Sequence, residues 1–167
     1  MKITADMVKE LREKTGAGVM DSRRALEETE GDVAKAVENL KKRGLSMAEK
    51  KAGRVASQGM VDTYIHAGGR IGAMVELNCE TDFVARLPEF RDLAHDIAMQ
   101  IAATNPKYVR LEDIPEGSAE EPAEAVLMEQ PFIKDASHKI RDIVTNMIAR
   151  TGENIRIRRF TRYELGA

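Results

Sequence analysis

The hydrophobic period of this chain first changes near residue 57, and that change limits the possible folds more than any other feature. Up to about residue 45 apolar side chains recur every three or four positions. Val33, Ala36, Val37 and Leu40 fall at i, i+3, i+4 and i+7, the spacing of one helical face. From about residue 57 the period is two, with Val61, Thr63 and Ile65 alternating against Met60, Asp62 and Tyr64, as on a half-buried strand. One periodicity cannot serve both elements, so a helical part must precede a part that contains a sheet.

In the helical part Thr4 is placed to cap a first helix through Lys14, and Gly16-Ala17-Gly18 breaks it. Asp21 is expected to cap a second helix ending near Gly31, and Asp32 a third stopped by Gly44. This gives a three-helix bundle over residues 1–45, a linker over 46–56 and a second domain over 57–167. A bundle of that size buries little surface and suits binding better than catalysis.

In the second part Ala67-Gly68-Gly69 turns the first strand into a return strand carrying Ile71, Ala73, Val75 and Leu77. Pro88 suits the first turn of a helix whose apolar stripe is Phe90, Leu93, Ala94, Ile97, Ala98 and Ile101, ended by Asn105-Pro106. Residues 107–120 read as a surface connection and 121–130 as a short acidic helix stopped by Pro131. A further helix is expected from about Ser137 to Arg150, and Ile155 to Phe160 alternate again as a third strand. The fold class is α+β, a small three-stranded antiparallel sheet covered by helices. Three strands leave edges that either carry charge, as Arg156 and Arg158 do, or pair with another chain.

Several chemistries are excluded or weakened by residue content. The single Cys79 cannot form an internal disulfide, which suits a reducing, cytoplasmic setting. His66, His95 and His138 show no zinc-helix spacing, so no metal ligands or cofactor are expected. His66-Ala67-Gly68-Gly69-Arg70 lacks the ending of a phosphate loop and sits in a hairpin, so direct nucleotide binding is not expected. No nucleophile elbow or distinguished carboxylate pair is present, so no catalytic residues are assigned. No apolar run is long enough to span a membrane. Net charge is −2, which gives no global field for nucleic acid. The charge is nonetheless uneven: residues 111–130 hold acids and no Lys or Arg, while residues 150–162 hold five Arg and one Glu. Salt bridges between the two segments, a solvated edge, or RNA binding through Arg156, Arg158 and Arg159 would each explain the arginines.

Asn78-Cys79-Glu80-Thr81-Asp82-Phe83-Val84-Ala85-Arg86 joins the second strand to the Pro88 helix. It sets an acid beside an aromatic in a chain with only 4% aromatics. Read locally, Phe83 and Val84 are either buried caps of the junction or, for Phe83, a contact residue mounted between two rigid elements.

Taken together, Val8-Lys9-Glu10-Leu11-Arg12, Thr15 to Asp21, Gly31-Asp32, Asn78 to Ala85, Gln130-Pro131-Phe132 and Gly152 to Arg159 resemble the bacterial elongation factor Ts family over nearly the whole length. The resemblance implies a ubiquitin-associated-like bundle that docks on the G domain of elongation factor Tu. It also implies guanine-nucleotide exchange in translation elongation, without covalent chemistry. Thr81, Asp82, Phe83 and Val84 would form the turn that dislodges Mg²⁺, with Phe83 an exposed wedge and Asp82 bonding near helix ends. Lys9, Arg12, Met20, Arg23 and Lys51 would be further partner contacts. One departure is a single core copy where longer members carry a duplicated core and a helical insertion. The short form implies a homodimer through the small sheet in a two-plus-two complex. An adaptor using the bundle, or an RNA-binding module, is the alternative.

Overall fold

The computed structural model describes residues 2–167, which divide into two compact units. Thr4 and Asp32 start helices as their side chains require. Thr4 Oγ1 accepts from the Met7 N–H at 3.3 Å to begin α1 (Ala5–Thr15), and Asp32 accepts from the Lys35 N–H to begin α3 (Val33–Lys51). Between them α2 (Val19–Glu28) starts one turn earlier than expected. Gly18 is its N-cap, with no side-chain bond, and Asp21 sits inside the first turn, where its charge suits the positive helix end. Leu11, Ala25, Leu26 and Ala36 form the core of this unit, with Met7, Val8, Val33, Val37 and Leu40 around it.

Gly44 does not end α3. It is buried within the helix, and a Cβ there would meet Thr145 Cγ2 at 3.4 Å and Ala149 Cβ at 3.9 Å. The glycine therefore serves close helix approach rather than a stop. Residues 145–154 belong to the same unit as residues 2–54. Asn154, itself buried, donates its amide to the carbonyls of Ala52 and Arg54 at 3.4 and 2.8 Å.

The other unit comprises residues 55–144 and 155–167. Strands β1 (Gln58–Ile65), β2 (Ile71–Cys79) and β5 (Arg156–Glu164) form an antiparallel sheet in the order β1-β2-β5, with a bulge beside Glu76 and Leu77. Gly59 is obligatory where β1 pairs with β2 opposite Asn78: its φ is +140°, and a Cβ would lie 2.1 Å from the Leu77 carbonyl oxygen. Helix α5 (Pro88–Thr104) packs on the face that carries Ala73, Val75 and Leu77. Its stripe of Phe90, Leu93, Ala94, Ile97, Ala98 and Ile101 is buried as the spacing predicts, and Asn105 closes it in the left-handed conformation.

In this unit two further elements differ from the sequence reading. The acidic 121–130 segment is one helical turn, α6 (Pro122–Ala125), followed by a 3-10 turn over Leu127–Glu129. It breaks because the Leu127 N–H turns to the carbonyl of Tyr108. A hairpin of β3 (Pro131–Phe132) and β4 (Asp135–Lys139) precedes α7 (Ile140–Thr151), which starts three residues later than expected. Ser137 is not the cap. Asp135 Oδ1 holds both its N–H and its hydroxyl, while Asp142 Oδ2 accepts the Lys139 N–H.

The hairpin is anchored by a buried amide network. Gln100 on α5 donates to Gln130 Oε1 and to the Pro131 carbonyl, and accepts from the Ile133 N–H at 2.9 Å. Gln130 in turn donates to the Glu124 carbonyl and accepts from Thr104 Oγ1. Among the described residues, the ion pairs of the two oppositely charged segments run to other partners. Glu120 pairs with Lys107 and Glu129 with Lys139 and Arg141, while Arg159 pairs with Glu76 and Arg162 with Glu164.

Candidate functional site

Strand β2 ends beneath the junction with Cys79 fully buried, its thiol donating to the Thr81 carbonyl at 3.1 Å. Thr81 then caps a single turn, α4 (Asp82–Ala85), by accepting the Val84 N–H on its hydroxyl at 3.4 Å. The Leu87 N–H donates to the Val84 carbonyl, and Leu87 is the N-cap of α5. One helical turn is thus held between a sheet strand and a seventeen-residue helix, although it is too short to be stable alone.

Neighbouring side chains on this turn have opposite fates. Val84 is 7% exposed and packed inward, whereas Phe83 is 77% exposed. The local reading of both as buried caps therefore holds for Val84 and fails for Phe83. A one-turn helix faces the core with one side, and 100° per residue turns the next side chain away. Leaving a full aromatic in water forfeits about 1.5–3 kcal/mol of burial, so the fold itself gains nothing from Phe83.

Asp82 pairs with Arg86, Nη2 to Oδ2 at 2.7 Å. Both residues, with Ala85, Arg91 and the β1 residues Gln58, Gly59 and Met60, line a shallow groove of about 290 Å³ beside the aromatic. On the sheet, Glu76 is held below the usual carboxylate range by the Asn78 amide and by Arg159.

The remaining predicted contact residues lie in the helical unit. Lys9 and Arg12 are exposed on α1, and Arg12 Nε reaches the Ala17 carbonyl at 3.4 Å, bracing the Gly16-Ala17-Gly18 loop. Met20 is 68% exposed on α2 beside Val19. Arg23 is paired with Glu27 at 2.9 Å, and Lys51 is half-buried at the end of α3. These five share one unit, and Thr81 to Val84 belong to the other.

The sequence reading missed the Asp82–Arg86 pair and the bond from Cys79 to Thr81. The i, i+4 spacing of opposite charges could have revealed the first; nothing local announces the second. Asp135, Ser137 and His138 also cluster, with Asp135 held below its ordinary range chiefly by Ser137 and then His138. Both Ser137 Oγ and Asp135 Oδ2 approach the same nitrogen, His138 Nδ1, at 3.1 and 2.8 Å. A relay needs the two ring nitrogens divided between acid and nucleophile, so this cluster does not form one.

The sequence model of the family described as Elongation factor TS matches residues 2–122. Elongation factor Ts of Carboxydothermus hydrogenoformans is 52% identical over 194 positions that take in 98% of this chain and 89% of that protein. The chain belongs to the elongation factor Ts family. Elongation factor Ts of Syntrophomonas wolfei is 51% identical, with 98% and 91% covered, and that of Thermotoga neapolitana 47%, with 99% and 98% covered. Since 98% of 167 residues is about 164, the 194 aligned positions include about thirty relative residues that this chain lacks. The junction with the exposed aromatic lies within the residues that the family model matches.

Proposed function

We propose that this chain is a guanine-nucleotide exchange factor for elongation factor Tu, acting in the cytoplasm during translation elongation. The observation that carries the reading is Phe83, an aromatic held in water on a turn that is capped at one end and fused to α5 at the other. Aromatic side chains, Phe among them, are enriched in the buried cores of protein interfaces.

In this reading Phe83 inserts between helices of the partner's G domain while Asp82 bonds near their ends. Thr81 and Val84 hold the turn. Displacing Mg²⁺ and turning the phosphate loop removes much of what holds GDP. Factor and nucleotide must weaken each other's binding by the same factor, about 1.4 kcal/mol per tenfold. No bond is made or broken in the chain, so it works by differential binding and holds no catalytic residue, nucleotide or metal of its own. Lys9, Arg12, Met20, Arg23 and Lys51 supply a second contact through the three-helix, ubiquitin-associated-like domain.

The functional particle is a homodimer carrying two partner molecules. Supporting this, Val61, Ile65, Met74 and Tyr163 are exposed on the sheet face opposite α5, Tyr163 by 75%. The Thermotoga relative is 98% covered by the alignment, which leaves no room for a second core copy outside it. Ile65→Lys with Met74→Glu should halve the mass measured by light scattering. A monomeric wild type would remove the dimer from the reading.

The deciding experiment is release of a fluorescent GDP from elongation factor Tu. Wild type should accelerate it, and Phe83→Ala should abolish most of the acceleration, on the order of a hundredfold for a hot-spot aromatic. Folded wild type that leaves release unchanged would refute the exchange function.

A further inference from the structure

Asp82 and Arg86 stand at the two ends of a helix only four residues long. They are joined twice. The Arg86 N–H donates to the Asp82 carbonyl at 3.2 Å, and Nη2 lies 2.7 Å from Oδ2. Phe83 follows Asp82 on the same turn and is exposed. One carboxylate oxygen is thereby occupied, while an ionised carboxylate offers about four acceptor sites in all, so Oδ1 retains its capacity.

Both side chains are at least half exposed, and an ion pair in that setting adds little to the stability of the free chain. Its weight changes when a partner covers the turn. Screening falls as water leaves, and a carboxylate stripped of water without a cation beside it is strongly disfavoured. The pair is thus nearly idle in the free protein and matters once the wedge is docked.

We infer that Arg86 is a positioning residue for the wedge: it pins Oδ2 of Asp82, leaves Oδ1 open to amide donors of the partner, and balances the charge as docking removes water. The inference rests on the exchange reading above and names a residue that reading does not use. Arg91 supplies an internal control. It lines the same groove and carries the same charge, but Asp82 pairs with Arg86.

The test is the rate constant of stimulated fluorescent-GDP release from elongation factor Tu, measured for wild type, Arg86→Gln, Asp82→Asn, Arg91→Gln and the doubles Arg86→Gln/Asp82→Asn and Arg91→Gln/Asp82→Asn. Arg86→Gln should lower the rate constant about tenfold, as expected when one member of a covered charge pair is lost, and Arg86→Lys should recover part of it. The Arg86→Gln/Asp82→Asn double should lose no more than about twofold beyond Asp82→Asn, because coupled residues are non-additive. Any loss from Arg91→Gln should multiply with that of Asp82→Asn. The Tm of Arg86→Gln should stay within about 2 °C of wild type, as for an exposed pair. Multiplying losses for Arg86→Gln and Asp82→Asn, with wild type active, would overturn the positioning role and leave the exchange reading standing. A large fall in Tm would also overturn it, by making Arg86 a residue of the fold. Inactive wild type would overturn both readings together.

Discussion

Each unit buries polar groups both with and without partners, since Asn154 of the helical unit is bonded and Arg156 Nε of the α+β unit is not. The sharpest comparison is between the fully buried Ser22 and Gln100. In the helical unit Ser22 is fully buried on α2, and its hydroxyl has no hydrogen-bond partner. In the α+β unit Gln100 is equally buried, and its amide makes three bonds that hold the β3–β4 hairpin on α5. The apolar cores differ too. Leu11, Leu26 and two alanines centre the first, whereas Phe90, Leu77, Ile97, Ile101 and Ile157 are among the fully buried side chains of the second. Surface pairs lace the helical unit, among them Lys14–Glu10, Arg23–Glu27, Lys42–Glu38 and Arg43–Glu28. The contrast teaches that the helical unit is centred on small and aliphatic side chains at helical spacing, whereas the α+β unit adds a buried aromatic and a long-range amide network.

Four measurements test this difference. Phe90→Ala should cost the α+β unit about 3–5 kcal/mol, the range for emptying a buried aromatic site, read as lost amide-exchange protection in β2 and α5. Gln100→Ala should cost about 2–3 kcal/mol, because Gln130, the Pro131 carbonyl and the Ile133 N–H all lose a partner; a neutral result would mean that water replaces the amide. Ser22→Ala should act in the other direction and raise the protection of α2 by about 1 kcal/mol, since it removes an unpaired hydroxyl and improves helix propensity.

The smallest effect is that of mild acid. Glu28, Asp32 and Glu38 titrate below their ordinary values, owing first to the Arg43 side chain, the Lys35 N–H and the Lys42 side chain respectively. A carboxylate with a depressed folded pKa stabilises above its unfolded pKa, about 4, and the contribution disappears as pH falls through the folded value. Protection in α1 to α3 should therefore be flat above about pH 5 and decline below about pH 4. The Gln100 network has no titrating member, so its own contribution should not follow that curve.

Much of this architecture was legible because period and punctuation agreed. The change at residue 57, Pro88 at the start of α5 and Asn105 at its end placed the hairpin and its covering helix correctly. Gly44 misled because a glycine that ends a helix and one that lets two helices touch look alike in sequence. The β3–β4 hairpin was unreadable for a related reason. Its two short strands are fixed by Gln100, some thirty residues away, and long-range bonds leave no local pattern. At the junction, composition marked Phe83 as unusual, but only the turn geometry separates it from Val84.

The register of the sheet also bears on how the chain is made. Strand β2 is central, yet β5, which pairs along one of its edges, comes far later: Arg159 and its partner Glu76 are 83 positions apart. During vectorial synthesis β1 can zip onto β2 at once, while the opposite edge of β2 stays open until Arg156 to Glu164 have left the ribosome. An open edge carrying Val75 and Leu77 is a template for wrong pairing, and at about 5–20 residues per second the wait lasts several seconds. The nascent protein is thus most exposed to aggregation late in its own translation.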